Sequence, residues 1–383
     1  MSLSPRLLAC AALLLAPAAS AQVVLTTAVP FLQIEPDSRA SGMGMTGVAI
    51  ADNAYAAFWN PAGLAEQTGT EISFTHAPWL PALGADLSYE HLTAKHSLGS
   101  LGTVGGHLTY FDLGTQQATD DQGNVLNDFS SYEFALGASY GKEVTENLSV
   151  GVGGRLIYSN LTGGQTVDNA STSAGVSGGF DLGVMYQGPE LGLGKSTRPT
   201  FGANLANVGP GISYTDDSEF SDAIPTTLRF GTAVTSELDD FNKVTLAVDL
   251  NKVLVDRDSS GNYAGPLEAL FTSWGARQVD TTPSVEEGNC ADREGGDNEC
   301  ETVGALQQLT LGVGAEYWYN DLFSIRGGYF YEDPANGNRK FLTIGSGIRY
   351  SLVGVDLSYI YAIEENSPIA DQLRFTLLLD IPR

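Results

Sequence analysis

From about residue 70 onward, apolar and polar residues alternate one by one, break off, and resume. Between Leu309 and Tyr319, the residues Leu309, Leu311, Val313, Ala315, Tyr317 and Tyr319 fall on one side, and Thr310, Gly312, Gly314, Glu316 and Trp318 on the other. Successive side chains of a strand point to opposite faces, so such a run predicts a strand with one apolar and one polar face. The same parity recurs in Tyr132–Tyr140, Val150–Tyr158, Val244–Leu250, Leu342–Tyr350, Val355–Tyr361 and Leu373–Leu379. Fourteen segments are predicted, near 70–77, 86–97, 101–111, 131–143, 148–160, 174–187, 200–208, 226–237, 242–254, 307–319, 322–331, 340–350, 353–363 and 371–381. Most reach the ~9–11 residues that a tilted strand needs to cross a bilayer. Strands of soluble sandwiches run shorter, about 5–6 residues.

Connection lengths add a direction. Short turns follow the even-numbered strands, as at Thr145-Glu146-Asn147 and Asn320-Asp321, with 188–199 a longer exception rich in Gly and Pro. Longer polar loops follow odd-numbered strands, at 112–130, 161–173, 209–225, 255–306 and 332–339. Outer-membrane barrels have short periplasmic turns and long outer loops, and aromatic girdles such as Tyr110, Tyr158, Tyr317 and Tyr350 would form. An all-β fold is therefore expected: a transmembrane antiparallel β-barrel of about fourteen strands, in the cell outer membrane. An even count places both termini in the periplasm.

Charge parity sharpens the picture. The inward positions carry Glu133, Asp181, Asp249, Glu316 and Asp356 against Arg155, Arg229, Arg326, Arg349 and Arg374. On the lipid face each would cost roughly 2–4 kcal/mol at mid-membrane, so a lumen filled by ion pairs is expected.

The ends divide the chain further. Arg6, the apolar run Leu7–Ala19 and Ala19-Ser20-Ala21 form a secretory leader, residues 1–21. Residues 22–68 lack strand parity, and Ala54–Trp59 predicts a helical turn before Pro61. This segment is expected to enter the lumen as a hatch, with the barrel over 69–383 and its longest outer loop at 255–306. Without the leader, 18 basic residues face 45 acidic ones, a net charge of −27. Nucleic-acid binding needs basic patches and is excluded. Cys290 and Cys300 lie in an exported polar segment and are expected to form a disulfide.

Chemical motifs are weak. Gly42-Met43-Gly44-Met45-Thr46-Gly47 has dinucleotide-loop spacing but no preceding strand, and turn-forming glycines are the plainer reading. Ser177 in Gly175–Gly179 lies inside a strand, not at a strand-to-helix elbow. Asp256–Gly261 begins like a calcium loop, but Leu267 stands where a bidentate Glu is needed. His76, His91, His96 and His107 lack metal-ligand spacing. No catalytic residue, metal or cofactor is expected.

Longer runs carry a resemblance. AVPFLQIEPDSRASGMGMTGVAIADNAYAAFWNPAGLA (28–65), DLNKVLV (249–255), RGGYFYEDPANGNRKFLTIGSGIRY (326–350) and DQLRFTLLLD (371–380) resemble the PorV family of type IX secretion, within the FadL-like barrel group. Asn60-Pro61-Ala62 is similar to the hatch tripeptide of FadL-like proteins. The 255–306 loop matches poorly, and the end Ile381-Pro382-Arg383 lacks a terminal aromatic. The resemblance implies a cargo receiver that binds the C-terminal signal domain of exported proteins. It also implies contacts with a SprA-like translocon, a PorU-like attachment complex and membrane lipid or lipopolysaccharide. Lipopolysaccharide deacylation has been linked to the family, but the residues show no nucleophile–base pair for it. A FadL-like transporter of hydrophobic small molecules is the alternative; a charge-balanced lumen argues against a greasy conduit.

Overall fold

The barrel closes with the expected number of strands. A computed structural model describes residues 27–81, 86–119, 122, 124–167, 170–215, 221–257, 263–280, 300–364 and 367–382. The expected leader lies outside them, and so does Cys290, so the disulfide expected with Cys300 does too. The strands are β1 (Thr70–Trp79), β2 (Leu87–Ser97), β3 (Thr103–Thr119), β4 (Val125–Thr145), β5 (Leu148–Asn160), β6 (Gly175–Gln187) and β7 (Ser196–Val208). They continue as β8 (Thr227–Glu237), β9 (Asn242–Val253), β10 (Leu309–Tyr319), β11 (Phe323–Glu332), β12 (Lys340–Tyr350), β13 (Val353–Ala362) and β14 (Gln372–Ile381). Each pairs antiparallel with the next, and β14 returns to β1 with Thr70 opposite Ile381.

Burial is inverted relative to a water-soluble protein. On β14, Gln372, Arg374 and Thr376 are buried while Leu373, Phe375, Leu377 and Leu379 are exposed. Ile344 is 63% exposed and Glu316 only 2%. An apolar belt on every strand is stable only against lipid. Tyr110, Tyr132 and Tyr158 stack in series across β3, β4 and β5, with ring centroids 5.9 Å apart at each step, as one arc of an interfacial girdle.

Three expectations change. The 112–130 segment is mostly strand: after a bulge beyond Asp112, β3 and β4 pair from Thr115↔Ser130 to Thr119↔Val125. Above the membrane a hairpin needs no apolar face, so polarity alone reads it as loop. The 188–199 connection is shorter, because β7 begins at Ser196. Ser196–Pro199 pair with β8 only; the ladder of β7 with β6 ends at Thr200, so Pro199 lies just outside it on a free edge. Finally, the sheet begins and ends at the short-turn rim, but the described N-terminal end lies in the opposite half. Ala28 N donates to Ala223 O of an outer loop, and Phe31, Leu32 and Ile34 pack with Tyr89, Phe111, Ile157 and Ile224. From there the chain descends through the lumen to β1.

Candidate functional site

The segment from Val29 to Glu66 occupies the lumen, and its fold starts from short local signals. Asp37 caps the helix α1 (Ser38–Ser41): its Oδ1 accepts from Ala40 N at 2.7 Å. Its Oδ2 accepts from Trp59 Nε1 at 2.8 Å, tying α1 to α2 (Ala56–Trp59), the helical turn expected before Pro61. Pro61 then opens a 3-10 turn, Pro61–Glu66, at the position where its missing N–H is harmless. Val48, Ala51, Tyr55, Phe58, Trp59 and Leu64 form the hatch's own core.

The hatch motif sits at the centre of the seat. Asn60 is fully buried. Its Nδ2 donates to Val48 O at 3.2 Å and to Val184 O of β6 at 3.0 Å, and its Oδ1 accepts from Ala62 N at 3.1 Å. One side chain thus joins two parts of the hatch to the wall. Asn60→Ala is expected to strand buried backbone groups and cost about 2–3 kcal/mol. Urea unfolding in lipid vesicles measures this; an unchanged midpoint would remove Asn60 from the seat.

The wall makes room where the hatch backbone approaches. A side chain on inward Gly151 would place its Cβ 2.2 Å from Pro61 C, and one on Gly202 would lie 2.5 Å from Val48 O. Gly183 faces Asn60, and Gly312 and Gly328 face Gly44. Gly44 itself turns with φ +66°. The glycines of 42–47 therefore serve both a turn and a close approach to the wall.

The inward charges divide in two. Arg155 pairs with Asp181, both buried. Arg326 bridges Glu316 at 2.6 Å and Asp356 at 2.7 Å, and Arg349 holds Asp356 at 2.6 Å. Three others, Arg374, Arg229 and Asp249, address the hatch. Arg374 binds Glu35, with Nη2 to Oε1 at 2.8 Å. Arg229 Nη1 donates to Phe58 O at 3.0 Å with its guanidinium 4.7 Å from the Phe58 ring centroid. Asp249 Oδ2 accepts from Gly47 N at 2.7 Å and Val48 N at 2.9 Å. Glu133 accepts from Ser159 Oγ at 2.6 Å instead of pairing with an arginine.

Sequence reasoning missed Arg39, the one basic residue of the hatch. It is bidentate to Glu316, at 2.9 and 2.7 Å, and also pairs with Asp52. Asn204 and Thr376 were also missed; they bond Trp59 O at 2.8 Å and Ser38 N at 3.0 Å. A lone cation among Glu35, Asp37, Asp52 and Glu66 was the available signal. At the periplasmic end of the hatch, burial pushes the Glu66 carboxyl up, against donors from Gln187 and Ser149. His91 and His107 stack at 5.5 Å, a contact their spacing hid. Among the described residues no three His, Cys, Asp or Glu gather as metal ligands.

A family model described as "Type IX secretion system protein PorV" matches residues 17–259, well over half the chain. The chain belongs to the PorV family. It is a type IX secretion component of the outer membrane, and the matched family is not a catalytic one. Among solved structures, that of the Ralstonia pickettii toluene transporter TbuX is similar with a TM-score of 0.50 at 16% identity, covering 91% of this chain and 98% of that one. The Pseudomonas putida toluene transporter TodX gives 0.47 at 14%, covering 90% and 96%. At 16% identity the likeness to TbuX shows the fold alone. No curated protein matches the sequence.

Proposed function

We propose that this PorV-family barrel receives exported cargo at the outer membrane through the cargo's C-terminal signal domain. It then passes that cargo from a SprA-like translocon to a PorU-like attachment complex. One observation supports a receiver over a conduit: the hatch crosses the lumen and is bonded to the wall on several sides by buried groups. Arg374 on β14, Glu316 on β10, Asp249 on β9, Arg229 on β8 and Asn204 on β7 all hold it. Releasing it would leave several buried charges and backbone groups without partners, each costing kilocalories. Work on cargo then falls to the outer loops.

The transport reading draws on a cavity of about 330 Å³ between the hatch and the wall, where Phe31, Phe58, Trp79, Phe111 and Phe341 meet Arg229 and Arg339. Glu35, Arg277 and Glu332 also line it, so the rings share the cavity with charge, and a small molecule with both apolar and polar parts would suit it better than a purely apolar one. Extraction in mild detergent separates the readings. The intact barrel is expected to co-purify with exported proteins that carry their C-terminal domains. Bound acyl chains with no cargo would overturn the receiver and favour the transporter.

A further inference from the structure

The ladder between β3 and β4 continues past the membrane. The stacked Tyr110, Tyr132 and Tyr158 mark the outer interface, yet β3 runs on to Thr119 and β4 begins at Val125. At ~3.3 Å per residue the hairpin stands about 25 Å clear of the girdle. Its neighbours do not follow. Pairing with β2 ends at Ser88↔Asp112, and pairing with β5 ends at Tyr132↔Asn160. The arm therefore has two long edges without a neighbouring strand among the described residues.

The two edges differ. On β4, Ser131 Oγ donates to Leu161 O at 2.6 Å, and Gly163 packs on Phe129, so a loop covers the base of that edge. On β3, Thr115, Gln116, Gln117 and Thr119 are exposed, and beyond Gly114 no other described strand runs beside them. Natural proteins blunt such edges with Lys, Pro, a cover or a bulge, and here the ladder is irregular only at its two ends, beyond Asp112 and at Ala118/Thr119. Thr115-Gln116-Gln117-Ala118-Thr119 has no Lys, no Pro and no charge. Its outward backbone groups form a template for strand addition.

Charge selects the occupant. Residues 112–130 hold four Asp and no Lys or Arg. Two such arms side by side would bring together eight Asp and no base, and like net charge opposes their association. We infer that the β3 edge, Thr115–Thr119, takes up an extended strand of exported cargo bearing Lys or Arg, adding it to the arm as a further strand. This rests on the receiver reading and names the contact by which it works.

Hydrogen exchange on the full-length barrel, with and without an intact exported protein that carries its C-terminal domain, reads the pairing directly. The amides of 115–119 are expected to slow about tenfold or more in the complex. A shortened variant, with 114–129 replaced by an Asn-Gly turn, should keep the barrel folded and lose about tenfold or more in cargo affinity. Asp128→Lys should weaken binding to a lesser degree. Unchanged exchange at 115–119 overturns the inference, and so does undiminished binding by a folded shortened variant; the receiver reading survives either result. Failure of the intact barrel to take up any cargo defeats the receiver reading and this inference together.

Discussion

Glu316→Gln is expected to lower the stability of the barrel by about 3–5 kcal/mol and to loosen its hatch. Glu316 lies at the middle of a chain of charges running from Asp52 through Arg39, Glu316, Arg326 and Asp356 to Arg349. Three carboxylates there balance three guanidinium groups. Glutamine keeps the volume but leaves three cations against two anions, in a site where Glu316 and Arg326 are almost wholly buried. Breaking one member of a buried pair is costly because the survivor stays desolvated and unpaired. Arg39 is the hatch's member of the chain, so the loss falls on the link between hatch and wall. Urea unfolding in lipid vesicles reads the stability, and trypsin cleavage after Arg39 reads the hatch. Arg39→Gln combined with Glu316→Gln should cost clearly less than the two single changes added together, since each removes the other's stranded partner. Strict additivity would show that the two side chains do not act as a pair.

How far the sequence reveals this protein depends on which solvent sets the pattern. Lipid imposes strict parity, because a charge facing it is expensive and a missing backbone bond more so. For that reason Leu373, Phe375 and Leu377 could be placed outside, and Arg374 and Thr376 inside, from spacing alone. Inside the lumen no such rule operates. A polar wall residue can satisfy itself on another wall residue or on the hatch, and parity is the same in both cases. Arg326 does the first and Arg374 the second, yet both read simply as inward charges. Asp249 and Arg229 spend their bonding on hatch backbone, which carries no sequence signature. Beyond the membrane parity fades altogether. There Thr115–Thr119 could not be told from loop, because its ladder is held by backbone bonds with water on both faces. The wall glycines were visible only as an abundance. Their common meaning emerges when Gly151, Gly183, Gly202 and Gly231 are seen at inward positions of four consecutive strands, each beneath hatch atoms.

That floor of glycines leads to the sharpest test of the hatch as a separate body. Gly151→Leu is expected to leave the barrel folded and to unseat the hatch. Gly151 lies in the extended backbone of β5 and faces inward, so a leucine suits the strand itself. Its Cβ, however, would stand 2.2 Å from Pro61 C and 2.3 Å from Ala62 N. Both are backbone atoms of the Asn60-Pro61-Ala62 turn, and backbone locked by Pro61 cannot yield as a side-chain tip would. The strain exceeds the ~1–3 kcal/mol of ordinary overpacking and bears on the hatch alone. On the same strand, Gly154 has nothing within 4 Å of its Cβ position. Gly154→Leu therefore adds one more apolar side chain at an open position and should stay within about 0.5 kcal/mol of the parent. The two variants should differ in three ways: Gly151→Leu alone should become cleavable at Arg39, pass ions across a planar bilayer, and unfold at lower urea. Closed, protease-resistant Gly151→Leu protein would mean that the hatch and the wall do not meet at Pro61, and the seat built around Asn60 would have to be abandoned.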